Sequence, residues 1–422
     1  MTCDTDENNH VYKINIQRLE HDTDNKYKEF FEKGLNALLD DEHFLLLYVP
    51  DNGDKMQIVR PASNLFHRRR MIKRINEAKR IPSFYYALSH LWGLTENDRY
   101  HWNDIHEYVN DEQGQPVKPV SMRPEKRDTL LAMLKDHPDS YWWIDVLCAR
   151  TDTPLDIMGD IYSCCLECIA MIDCEPNVIS EIRTISGTAE EALEELYNSR
   201  EGGYLKYKDV KQTQAPQLFG YLYIFMQSQW WKRVWTWQEM ALPVGDVKFV
   251  AETGTHQSQS NTLTLNQLLG FPYVRMAYLL REEVPLTPVH ESEMKLMREV
   301  VSAVEEYLSG IEDARRACKG RFRSKWGSFC HLISSLSDST RRCYDPCDYV
   351  YGVLGMLQIK IPRMEDPNEV WRCLLNELDR HPVDITFAPD KCIDRADEID
   401  LLKVRAIGEV YRKLNDIYYG AK

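Results

Sequence analysis

Apolar residues along the chain fall into two kinds of pattern, and these alternate through its middle third. Short apolar runs at Phe84–Ser89, Trp142–Leu147, Cys168–Asp173 and Val247–Ala251 read as buried strands. Between them, apolar positions recur at helical spacing over Glu125–Lys135, Leu155–Cys165, Ala189–Ser199, Gln217–Met226 and Gln229–Ala241. Strands of that length separated by helices predict βαβ units, hence an α/β fold with a mostly parallel sheet flanked by helices. Such sheets bind ligands beyond the carboxyl ends of their strands. The first of these strands, the second and the third are expected to be parallel neighbours. Ahead of them stands an opening unit with a helix at Asn25–Leu39, a strand at Phe44–Val49, a turn at Pro50-Asp51-Asn52-Gly53 and a strand near Met56–Val59.

After Leu263 the strand pattern nearly vanishes, and Glu291–Ser309, Pro346–Met356, Pro367–Leu378 and Asp400–Lys413 are helical in composition. The chain therefore divides into three parts. Residues 1–83 form an N-terminal α/β segment joining the core, 84–260 the sheet domain, and 261–422 a mainly α-helical C-terminal unit. The second boundary falls in the polar stretch Glu252–Thr262.

Composition narrows the function classes. With 43% hydrophobic and 28% charged residues over 422 positions, the chain is globular and long enough for two or three domains. Its apolar runs, such as Phe44–Val49, fall far short of the roughly 18 residues a membrane span needs. The first residues show no basic start followed by an apolar stretch, so a cytoplasmic location is expected. Twelve cysteines without any Asn-x-Ser/Thr acceptor read as reduced thiols. A net charge of −14 argues against nucleic acid as the main partner. Locally, His67–Arg80 is strongly basic, which fits either a solvated helix face or a phosphate- or partner-binding patch.

Several common catalytic motifs are absent: Gly-x-Gly-x-x-Gly, Gly-x4-Gly-Lys-Ser/Thr, His-Glu-x-x-His and Gly-x-Ser-x-Gly. Cys164, Cys165 and Cys168, with Cys174 beyond, have spacing that thiolates use for zinc. They bridge a helix end and an apolar strand with no His nearby, so they read as small buried hydrophobes and no metal is expected.

Four segments remain. They are Tyr86-Ala87-Leu88-Ser89-His90-Leu91-Trp92-Gly93, then Trp142-Trp143-Ile144-Asp145-Val146-Leu147-Cys148, then Arg233-Val234-Trp235-Thr236-Trp237-Gln238-Glu239, and Asp345 to Gly355. In order and spacing the first three resemble the fungal heterokaryon-incompatibility (HET) domain over about residues 84–242, and the fourth resembles a segment that often follows it. His90 stands where that family has Tyr, Ala149-Arg150-Thr151 where it has Ile-Asp/Asn-Gln, and Cys347 where it has Arg. The HET domain in turn resembles TIR domains, which have a flavodoxin-like sheet and in several lineages cleave NAD⁺.

The resemblance implies a protein of non-self recognition and cell-death signalling with NAD⁺ or a related nucleotide as substrate, and no resident cofactor. Glu239 would be the catalytic carboxylate, with Ser89, Trp92, Arg233, Asp145 and Trp235 lining the nucleotide site. The alternative is a non-enzymatic module that self-associates or recruits a signalling partner. The residues alone leave several roles open: Ser89 as a pocket or a cap hydroxyl, Trp92 as a ligand or a packing aromatic, and Asp145 as a ligand or the partner of Arg233. A continuous helix after Ser228 would bury Trp230, Val234, Trp237 and Ala241, and turn Glu239 to the opposite side with Lys232 and Thr236.

Overall fold

The computed structural model describes residues 13–17, 25–93, 101–198, 214–254, 262–270, 288–320, 325–380 and 392–419. Its centre is an eight-stranded mixed sheet, in which strands β1 to β8 run Leu46–Val49, Met56–Val59, Tyr85–His90, Val109–Asn110, Ser140–Ile144, Glu167–Ile172, Asp246–Ala251 and Thr262–Thr264. They lie in the order β4-β2-β1-β5-β3-β6-β7-β8. The four middle strands β5, β3, β6 and β7 are parallel, with Leu88 opposite Ile144 on one side and Ile169 on the other. β3, β5 and β6 are largely apolar because strands buried on both faces have no solvent side to mark with polar residues. Taken in chain order, the four occupy sheet positions 2-1-3-4, so the topology reverses between β3 and β6.

The expected parallel neighbours β5, β3 and β6 are thus found, with Pro124–Lys135 crossing from β3 to β5 and Ile157–Cys164 from β5 to β6. The opening unit also forms as expected. Its helix Lys26–Asp40 leads into the hairpin β1–β2, whose turn places Gly53 at φ 77°, a conformation glycine adopts without steric cost. The hairpin joins the main sheet because β1 pairs antiparallel with β5.

Within the sheet part three elements differ from the sequence reading. The second core strand ends at Ile144, and Asp145–Cys148 is a single helical turn: the Asp145 carboxylate accepts the Val146 N–H at 2.7 Å and draws the backbone out of the ladder. The helix expected at Ala189–Ser199 begins at Pro176, its earlier turns carried by the buried stripe Ile179, Ile182 and Ile185, while Ser199 lies outside the described residues. The helix expected at Gln229–Ala241 is two pieces, Gln229–Lys232 and Thr236–Ala241. Between them the backbone is extended at Arg233, where Val234 N–H donates to the Arg342 carbonyl and Arg342 N–H to that of Lys232.

Among the described residues beyond β8 the elements are helical, the main ones Pro288–Gly320, Lys325–Ser337, Pro367–Arg380 and Ile407–Tyr419, with Asp348–Tyr351 and Leu354–Leu357 as single turns where one run was expected, and with a 3-10 turn Leu401–Lys403 ahead of the helix Ile407–Tyr419 where a single helix Asp400–Lys413 was expected. They pack on the sheet part at close quarters. A Cβ on Gly159 would lie 2.5 Å from the Cα of Gly355, so two backbones cross there with no room for a side chain. The boundary expected near residue 260 lies outside the described residues. Among the described residues no helix is long and apolar enough to cross a membrane.

Candidate functional site

β3 carries its chemistry at its carboxyl end. Ser89 and His90 are both 1% exposed, so each must find partners inside the protein. Ser89 Oγ donates to Glu239 Oε2 and accepts the indole N–H of Trp230 at 2.8 Å. Glu239 is 6% exposed, which corrects the helical-wheel expectation. Past the break at Arg233–Trp235 all six residues of Thr236–Ala241 are buried, so Glu239 is enclosed along with Thr236 and Trp237 and the short helix has no solvent side.

Burial pushes the Glu239 carboxyl up to about 7, against the opposing pull of Arg233 and of the Ser89 hydrogen bond; the Asp145 charge adds to the rise. Asp145 behaves oppositely. Burial would raise it, but His90, the Trp92 indole and Arg233 together hold its carboxyl below the ordinary 3.8. Its Oδ1 lies 2.9 Å from His90 Nε2, and its Oδ2 accepts the Trp92 N–H at 2.6 Å. Arg233 is therefore not its hydrogen-bond partner. Nη1 of Arg233 donates instead to the His90 carbonyl at 2.8 Å.

Residues beyond β8 close the site from its other side. Arg341, 3% exposed, donates to Thr236 Oγ1 and lies 4.4 Å from the centre of the Trp237 ring, the distance of a cation–π contact. Burial pulls its pKa down to about 9, and the Glu239 charge resists the fall. Gln238, next to Glu239, donates to the Tyr351 carbonyl and accepts the Gly355 N–H, fixing the short helix against the turns Asp348–Tyr351 and Leu354–Leu357.

In front of this cluster opens a cleft of about 810 Å³, lined by Trp92, Arg233, Trp235, Arg342, Tyr344 and Asp348 among others. Burial raises the Asp348 carboxyl to about 6, opposed by its hydrogen bond with Trp235. Of the six expected site residues, Trp92, Arg233 and Trp235 line the cleft. Ser89, Glu239 and Asp145 stand behind it, linked through Arg233 and Trp92. A separate cavity of about 520 Å³ beside Phe219, Leu268 and Glu312 includes none of these groups.

Sequence reasoning missed Lys126, which reaches His90 from the helix Pro124–Lys135. Its signal was present: Lys126 shares a stripe with Leu130, Met133 and Leu134, at i, i+4, i+7 and i+8. Arg341 carried no such mark, since it lies in a polar loop. Cys164, Cys165 and Cys168 are all fully buried, and burial raises the thiols of Cys165 and Cys168. Among the described residues no group of three or more His, Cys, Asp or Glu could hold a metal ion.

Residues 85–239 match the family model described as Heterokaryon incompatibility protein (HET). The matched segment begins at the first residue of β3 and ends at Glu239, so it contains Ser89, Asp145 and Arg233 but neither Arg341 nor the C-terminal wall of the cleft. No curated protein and no solved structure matches the chain.

Proposed function

We propose that this chain acts in non-self recognition and cell-death signalling, and that the cluster behind the cleft hydrolyses NAD⁺ at its nicotinamide–ribose bond. One observation carries the reading. At the reversal between β3 and β6, where open α/β sheets bind ligands, two carboxylates in one cluster have environments that push their pKa values apart. The 2-1-3-4 order of the parallel strands supports a flavodoxin-like, TIR-like sheet.

The chemistry asks little of the protein. The C1′–N bond breaks with both electrons going to the pyridinium, which leaves as neutral nicotinamide and needs no proton from an acid. Water then adds to the ribosyl cation and gives up a proton to solvent. Glu239, ionised in the reacting complex, would hold the ribose diol and stabilise the oxocarbenium charge. Arg233 would meet a phosphate, with Trp92 and Trp235 against the rings. Because Glu239 is 6% exposed, Arg233 must first swing away from the His90 carbonyl to admit the ribose.

The test is incubation of the purified full chain with NAD⁺ while nicotinamide is followed. The reading expects release by the unmutated protein and its loss in Glu239→Gln. No release in any assembly state, or equal release by the variant, would overturn it.

A further inference from the structure

Lys126 is 0% exposed, yet its Nζ ends among polar atoms, donating to the Leu91 carbonyl and lying 2.9 Å from His90 Nδ1. An ammonium has three donors and no acceptor, so the ring nitrogen facing it must be bare. A proton on Nδ1 would point at a cation, and the Leu91 carbonyl, also 2.9 Å from Nδ1, is already served by the ammonium. The ring proton then belongs on Nε2, 2.9 Å from Asp145 Oδ1. That contact is short but poorly aligned, closer to an electrostatic contact than to a linear hydrogen bond. The other oxygen of Asp145 receives Trp92, and Trp92 lines the cleft.

We propose that Lys126 is a positioning residue of the site: its ammonium fixes His90 as the Nε2–H tautomer, and His90 in turn holds Asp145 against Trp92 at the edge of the cleft. Polarity runs one way along this chain, from a buried cation through a neutral ring to a carboxylate. Burial pushes Lys126 down only to about 8, with Glu252 and Asp145 supporting its charge, so it keeps its proton at neutral pH. Burial and the neighbouring ammonium both lower His90, which keeps the ring neutral. The relay explains why Asp145 stays ionised although little of it meets water.

The catalytic consequence rests on the NAD⁺ reading, but the relay itself does not, and the experiment separates them. Long-range proton–nitrogen NMR spectra of the histidine-labelled full chain at pH 7 should show His90 with its proton on Nε2. A proton on Nδ1, or an imidazolium, overturns the relay whether or not the protein turns over NAD⁺. In Lys126→Met the indole N–H signal of Trp92 should move, and kcat/KM for nicotinamide release should fall about 10-fold, mainly through KM, because Trp92 holds a ring of the substrate while Glu239, the reacting group, is left in place. An unmoved Trp92 signal in a folded variant contradicts the proposal. Should Lys126→Met fail to fold, the tautomer in the unmutated protein decides. Absence of nicotinamide release from the unmutated protein would overturn the NAD⁺ reading, while the two spectra still decide the relay.

Discussion

Strand β5 has an aspartate just beyond each end, and the protein treats the two in opposite ways. Asp139, before the strand, lies between Arg70 and Arg74, with Tyr48 donating to it at 3.1 Å. Its side chain is 36% exposed, and although burial would raise its carboxyl, Arg74, Tyr48 and Arg70 together hold it below 3.8. Here one carboxylate meets two guanidinium groups at the surface, and the pairing is complete. It also accounts for part of the basic stretch 67–80, since Arg68 pairs with Asp40 and the Leu39 carbonyl. At the other end, Asp145 shares a mostly buried cluster with His90, Lys126, Arg233 and Glu239, and a cleft opens beside it. Charges kept inside although hydrophobic residues could fill the space at less cost are better explained by chemistry than by stability.

The contrast predicts effects of different kind and size at the two ends. The largest concerns turnover: Glu239→Gln should lower nicotinamide release by on the order of 10²–10³, the usual cost of losing one well-placed electrostatic group, whereas Asp139→Asn should leave it unchanged. Next comes stability in urea. Arg341→Leu should cost about 3 kcal/mol, because it removes a buried cation that Thr236, Trp237 and the Glu239 charge all engage. Arg70→Leu, at the half-exposed end, should cost no more than about 1 kcal/mol. Equal losses would erase the distinction.

The third effect is a sign. Glu239 is raised from 4.5 to about 7 in the folded state, so the folded protein holds this proton more tightly than the unfolded chain. Its stabilising contribution is complete below 4.5 and is lost as pH rises through about 7. Stability curves of the unmutated protein and Glu239→Gln should therefore diverge in favour of the variant over that window. For Asp139 the sign reverses: its carboxyl is depressed, so its contribution is present above 3.8 and lost as pH falls through the folded value. Asp139→Asn should thus cost under about 1 kcal/mol at neutral pH, the smallest effect of the set, and nothing in strong acid.

The parallel core was legible because strands buried on both faces read as near-continuous apolar runs, as β3, β5 and β6 do, while β7 shows the apolar pattern only over Val247–Ala251, interrupted by Lys248. The two-residue β4 and three-residue β8 are too short to leave a pattern. The broken helix could not be read locally, because its cause is a backbone pairing between Arg233 and Arg342, far apart in sequence. A wheel drawn through that break turned Glu239 outward in the sequence reading, whereas neighbouring elements bury all of Thr236–Ala241. The motifs named Ser89, Asp145, Arg233 and Glu239 as companions. Nothing in local spacing could add Arg341, which reaches the site through tertiary packing alone.

Protonation of Glu239 tests the central claim most directly, that the carboxyl end of the sheet holds a carboxyl group whose ionisation burial, Arg233 and Ser89 control, and not an ordinary ion pair. In protein labelled at the side-chain carboxyl carbons, an NMR titration should show Glu239 changing near 7 and Asp139 below 3.8 in the same sample. Ser89→Ala should move the Glu239 midpoint higher still, since the serine hydroxyl favours the ionised form. A Glu239 midpoint near the ordinary 4.5, indifferent to Ser89, would contradict the account.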